Sequence, residues 1–270
     1  MSEKKPRGTA APALRPRRRK VGVIGVLGEL FITAGVFVLL FIGWQVWLND
    51  IIVGAEQTNA ASELSQQWED AAPTEEPVEP APDPDAGATP EVPAGEGEPV
   101  VAAAPGAAES FANIIIPRLG SDYIRSIAEG TGANVINNRE AGVGHYEQSQ
   151  MPGEVGNFAV AAHRTTYGAP FHDIEKLVVG DSIIVETQDG WYKYIYRGTQ
   201  YVRPTGVDVL LPVPQFPGVA ATDRVITMTS CHPKLSSAER IIAFGVFDSW
   251  YPRSGGAPTE ISTLAQAGGN

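Results

Sequence analysis

Cysteine is nearly absent: one residue, Cys231, in a chain of 270. That excludes a disulfide-stapled scaffold and any zinc or iron–sulfur centre built from several thiolates. Positive charge is also scarce. The formal net charge is −11, and no Lys or Arg occurs between residues 21 and 110. A general nucleic-acid binder needs a basic footprint to displace counterions from phosphate, so no nucleic-acid partner is expected. Long apolar runs are missing, with one exception, and a mean hydropathy of −0.08 excludes a multi-span transporter. Histidine occurs only at His145, His163, His172 and His232, without a close-spaced ligand pair, so no metal site and no cofactor is expected.

What is present is unevenly distributed. Residues 1–20 hold eight basic residues against one acid, Glu3. The one long apolar run, 30–48, reads LFITAGVFVLLFIGWQVWL. Nineteen residues at ~1.5 Å rise match a bilayer hydrocarbon core, and Trp44 and Trp47 fall where an interfacial aromatic belt would lie. Val53-Gly54-Ala55 would suit a signal peptidase, but the apolar run is longer than a signal core, which favours an uncleaved anchor. Arg15, Arg17, Arg18, Arg19 and Lys20 sit directly before the run and place the N-terminus in the cytoplasm and the rest of the chain outside.

Residues 54–110 hold 13 acids and no Lys or Arg, and 71–105 contain nine prolines. Little there can offset chain entropy by burial, so a disordered linker is expected, with part of 54–70 able to continue the membrane helix. The resulting division is a basic cytoplasmic tail at 1–20, a transmembrane anchor at 21–53 with its core at 30–48, and a disordered linker at 54–110. A folded outer domain follows at 111–255, then a polar tail at 256–270. A single pass through the cell membrane with an extracellular domain follows from this order.

The outer domain alternates in a β manner between Gly, Pro, Asn and Asp. Expected strands are 113–116, 158–162, 182–187, 191–202, 224–230 and 240–250, with 182–187 and 191–202 joined as a hairpin through Gln188-Asp189-Gly190. Short helical turns are expected at Ser121–Ala128 and Phe171–Leu177. Many short strands in this length suggest a barrel or sandwich.

The lone Cys231 closes the strand Val225–Ser230, and the next strand opens with Arg240. Antiparallel pairing across 232–239 would bring both to one rim. There the guanidinium would favour a thiolate and offer donors to an oxyanion. A nucleophilic Cys needs a proton carrier, and His163, after the apolar run 158–162, also ends a strand. His232 adjoins Cys231 but on a strand would point to the opposite face. Structural roles are expected for His145 and His172.

Four stretches then carry a resemblance: GVGHY at 142–146, PGEVGNFAVAAHRTTYGAPFHDIEKLVVGD at 152–181, TMTSCHP at 227–233, and SSAER leading to Arg240. Together they resemble the sortases, most closely the class E sortases of actinobacteria. Ser230 stands where many members carry Thr, and Ala161-Ala162 where some carry Ala-Gly. The resemblance implies a mainly β chain: one closed barrel of about eight strands with short helices, after an anchor and linker. It implies that Cys231 is the nucleophile, His163 the acid–base and Arg240 the oxyanion partner. Thr165, Thr166, Tyr167, Thr229 and Ser230 are the expected substrate-groove residues. The implied reaction cleaves a Leu-Ala-X-Thr-Gly or Leu-Pro-X-Thr-Gly type sorting signal of a secreted protein between Thr and Gly. The acyl group then passes to the amine of a lipid II-type peptidoglycan precursor. A pilus-polymerising sortase and a hydrolytic cysteine peptidase are the alternatives.

Overall fold

The computed structural model describes residues 22–44, 48–72 and 97–261. Two units are distinct, residues 1–43 and 44–270. Within the first, α1 spans Val23–Gly43, with no buried residue. At ~1.5 Å per residue its 21 residues reach about 30 Å, so α1 is long and apolar enough to cross a bilayer. It starts seven residues before the expected core of 30–48, whose residues 45–47 lie outside the described residues. The basic tail 1–20 and most of the Pro-rich stretch, 73–96, also lie outside them.

The second unit is a closed barrel of eight strands. They are β1 (Ser110–Ile115), β2 (Ile124–Glu129), β3 (Val143–His145), β4 (Gly156–Ala162), β5 (Ser182–Thr187), β6 (Gly190–Val202), β7 (Arg224–His232) and β8 (Glu239–Pro252). The order around the barrel is β1-β2-β3-β4-β7-β8-β6-β5, closed by pairing of β5 with β1. The pairs β2–β3 and β4–β7 are parallel and the rest antiparallel.

The period-2 pattern sets which face each side chain takes. Phe158, Val160, Ile226, Met228, Ile241 and Ala243 belong to the interior core. The alternate residues on β4, β7 and β8 therefore form the outer face of a three-strand patch. Asn157 and Thr227 lie on it, and the β6–β7 connection covers that end. Asn157 Nδ2 donates to the carbonyls of Val209 and Leu211, both at 3.0 Å, while Thr227 Oγ1 donates to Asn157 Oδ1 at 2.7 Å. The other end of the patch is where β7 finishes, at His232.

Three expectations need correction. The helical turn expected at Ser121–Ala128 is the strand β2: its alternation is masked by Ser126 and Arg125, and its partners β1 and β3 decide the conformation. The short β3 was not foreseen. The stretch 54–110, expected as a linker with part of 54–70 able to continue the membrane helix, includes most of α2, Asn49–Ala71, which lies against the barrel with Val53, Gly54, Gln57 and Ala61 buried. Its attachment is polar as well as apolar. Asn113 Nδ2 donates to Ala61 O at 3.0 Å and to Glu186 Oε2 at 3.1 Å, and Ser65 Oγ donates to Glu186 Oε1 at 2.7 Å. Residues 97–109 also run along the barrel, held by Tyr192 OH donating to Val100 O at 2.6 Å and by a Glu98–Arg224 ion pair. Composition disguised α2, because only one narrow stripe of it is apolar.

Candidate active site

Strand register assembles three chemical groups. In the antiparallel β7–β8 ladder Cys231 is the partner of Arg240. In the parallel β4–β7 ladder the last pair is Ala161 with Thr229. Cys231 stands two residues beyond Thr229 on β7, and His163 is the first residue after β4, two beyond Ala161. Register thus pairs Cys231 with Arg240 and brings the end of β4, with His163 just past it, to the same end of the β4–β7 ladder. Arg240 is half-buried and its Nη1 donates to Ser237 O at 3.0 Å and Glu239 O at 2.9 Å, which leaves the Nη2 and Nε donors for other acceptors.

His163 is held from two sides. Its Nε2 lies 2.7 Å from Asn137 Oδ1, which can only accept, so this nitrogen carries the proton. A neutral ring then has its lone pair on Nδ1. The Tyr167 ring lies 5.1 Å away, centroid to centroid, at 30°. Burial holds the His163 pKa below the ordinary imidazole value, and the nearby Asp50 carboxylate from α2 opposes that shift. Desolvation in turn raises Asp50 above the usual aspartate value, partly offset by the Gly168 amide.

Arg164, next to His163, is 3% exposed. Its guanidinium ties the Cys231 end of β7 to the loop after β4. Nε donates to His172 O at 2.9 Å, Nη1 to Cys231 O at 3.2 Å and Nη2 to Glu175 Oε2 at 2.7 Å. Asn137, Arg164 and Asp50 were not singled out from the sequence. Only Arg164 left a signal there, as a charged residue close after the apolar run 158–162.

The remaining histidines separate by face. His145 points into the barrel, 2% exposed, with Nδ1 2.9 Å from Glu129 Oε2 and its ring stacked 5.1 Å from Phe158. His232 lies on the opposite face from Cys231, against Tyr201 at 4.4 Å. The exposed His172 has its Nδ1 3.0 Å from Arg164 O.

The expected groove residues divide. Thr165 lines a cleft of about 630 Å³ between α2, the loop after β4 and Lys234-Leu235, with Asp50, Tyr123 and His172 among its walls. Cys231 and His163 do not line this cleft. Thr166 and Tyr167 are exposed. Thr229 is on the Cys231 face but buried beneath Tyr146, whose hydroxyl lies 3.0 Å from its Oγ1. Ser230 does not face outward with Thr229. The pleat turns it inward, it is 4% exposed, and its Oγ donates to Ala162 O at 2.7 Å.

Residues 114–247 match the Sortase domain family model. The chain is 35% identical over 255 residues to Sortase SrtE1 of Streptomyces coelicolor, an alignment covering 91% of this chain and 64% of that protein. It therefore spans a little under two thirds of that relative. It is 30% identical to Sortase SrtE2 of the same organism, covering 86% of this chain and 84% of that one. Among solved structures it is similar to sortase E1 of Streptomyces coelicolor with a tripeptide in the active site. There the identity is 38% and the TM-score 0.53, covering 57% of this chain and 97% of that one.

Proposed function

The chain belongs to the sortase family of cysteine transpeptidases, and from that membership we propose that it cleaves a sorting signal between Thr and Gly and joins the new carboxyl end to an amine. The observation that supports this reading is the pairing of Cys231 with Arg240 across β7–β8, next to the end of β4 that His163 follows.

Cys231 Sγ, as thiolate, attacks the Thr carbonyl carbon. The oxyanion is stabilised by Arg240, whose Nη2 and Nε remain for it. The C–N bond to Gly breaks as protonated His163 gives its proton to the leaving amine. The product is a thioester on Cys231. An acceptor amine then attacks the same carbon, neutral His163 takes its proton, and the thiolate leaves. One amide replaces another, so no outside energy source is needed. Thr165, Thr166 and Tyr167 flank the signal peptide. The signal is of the Leu-Ala-X-Thr-Gly or Leu-Pro-X-Thr-Gly type, borne by a secreted protein, and the acceptor is a lipid II-type peptidoglycan precursor. We place α1 in the cell membrane, with the N-terminus cytoplasmic and the barrel outside, where such partners meet.

The test is to incubate the full chain with each signal peptide and an added amine and to weigh the products. A peptide–amine conjugate that depends on Cys231 supports transpeptidation. Free acid as the sole product makes the protein a hydrolytic peptidase instead.

A further inference from the structure

Gln57 is a polar residue with no exposed surface, projecting from α2 into the barrel flank. Its Nε2 donates to two carbonyls at 3.0 Å each, Asn138 O and Tyr167 O. Those carbonyls belong to the two segments that hold His163: Asn137 meets its Nε2, and the Tyr167 ring lies tilted against its ring. The slot for the carboxamide is made by two glycines from these same connections. A Cβ on Gly168 would lie 2.5 Å from Gln57 Oε1, and one on Gly142 closer still to Nε2. Both have positive φ, +77° and +82°, so side chains are disfavoured there on two counts. Gln57 Oε1 is buried without a partner among the described residues. That is a cost an apolar side chain of the same length would avoid.

We propose that Gln57 is a positioning residue, a clamp from α2 that fixes the Asn137–Asn138 and Tyr167–Gly168 segments and through them sets the orientation of the His163 ring. A side chain needed only to fill space would be better as Met. What Met lacks is the pair of N–H donors. Two neighbouring contacts reinforce the same docking. Asp50 Oδ1 accepts from Gly168 N at 3.4 Å, and Arg139 pairs with Glu56 on the exposed side at 2.7 Å. The charged group facing His163 from α2 is Asp50, which Gln57 substitutions leave in place.

The proposal rests on the acid–base role of His163 for its effect on rate, but not for its effect on the ring. The test therefore uses two readouts on the full chain: the pH titration of the His163 ring by nitrogen-15 NMR, and steady-state transpeptidation of a sorting-signal peptide. Gln57→Met strands Asn138 O and Tyr167 O but also removes the unpaired Oε1, so the melting temperature should fall by only about 2–5 °C. The substitution should raise the His163 midpoint by about 0.5 pH unit as the loosened Tyr167 segment admits water. It should also lower kcat about five- to tenfold with KM unchanged. Gln57→Ala should do the same with a larger loss of melting temperature, because it also empties the buried slot. An unmoved His163 titration in Gln57→Met overturns the positioning role whatever happens to activity. A moved titration with unchanged kcat upholds the positioning and instead removes His163 from the rate-determining chemistry.

Discussion

Cys231 and Arg240 face each other across the β7–β8 ladder, partners in the last register steps before the connection at the barrel rim. Nothing covalent or long-range has to be arranged to bring them together, because antiparallel pairing does it. Arg240 carries little of the fold: it is half-buried and its bonds go to carbonyls of its own connection. Arg240→Ala should therefore lower kcat about 10²–10³-fold, the loss expected for one oxyanion donor, with an unchanged melting curve. A rate near that of the parent protein would remove Arg240 from the mechanism.

Replacing the nucleophile gives a cleaner separation. Cys231 is half-buried and forms no disulfide, so Cys231→Ala should melt within about 2 °C of the parent. It should give no thioester adduct by intact mass and no conjugate. Any residual cleavage of the signal peptide by this variant would assign the chemistry elsewhere.

These two expectations were legible from the sequence because strand ends are legible. Val225–Ser230 and Arg240–Trp250 alternate strongly, and the short segment between them forces a rim. The faces follow from the same period, which turns His232 away from Cys231. β2 was not legible: Ile124–Glu129 offers too few apolar residues to distinguish a strand from a helical turn, and its pairing with β1 and β3 settles it. α2 was hidden for another reason. Its acidic, Ala-rich surface resembles a linker, and its buried stripe has meaning only once the barrel flank exists to receive Gln57 and Ala61. Asn137 and Asp50 reach His163 from distant parts of the chain, and no local pattern announces them.

The pH response carries a definite sign. Burial lowers the His163 pKa and Asp50 opposes this. A lowered pKa means that the neutral ring persists to lower pH, so a step that needs neutral His163 is lost only as pH falls through the folded value. Transfer from a preformed thioester to an amine should have its acidic limb below about 6.5. Asp50→Asn removes the opposing charge and should move that limb to still lower pH. An upward move would contradict the electrostatic coupling.

Ser230 distinguishes a strand tie from a groove contact. Its hydroxyl is engaged by Ala162 O inside the barrel. Ser230→Ala should cost about 1 kcal/mol of stability, one net hydrogen bond. KM for the signal peptide should stay within twofold. A large rise in KM with an unchanged melting temperature would place Ser230 in the groove.

Arg164 should be the most demanding position near the site outside the reacting three. Its guanidinium serves three acceptors at once, two backbone carbonyls and the Glu175 carboxylate, and it is nearly sealed from water. Arg164→Met keeps much of the packing of the stem but strands His172 O and Cys231 O without their donor. The loss should be roughly 2–4 kcal/mol, or about 5–15 °C in melting temperature for a domain of this size. Because one stranded carbonyl belongs to Cys231 itself, thioester formation should fall further than the folded fraction does. Arg164→Lys tests the geometry apart from the charge. An ammonium can reach one acceptor but cannot present the planar fork that spans three, so Lys should recover part of the stability and little of the rate. Full recovery of both by Lys would reduce Arg164 to a counter-charge for Glu175.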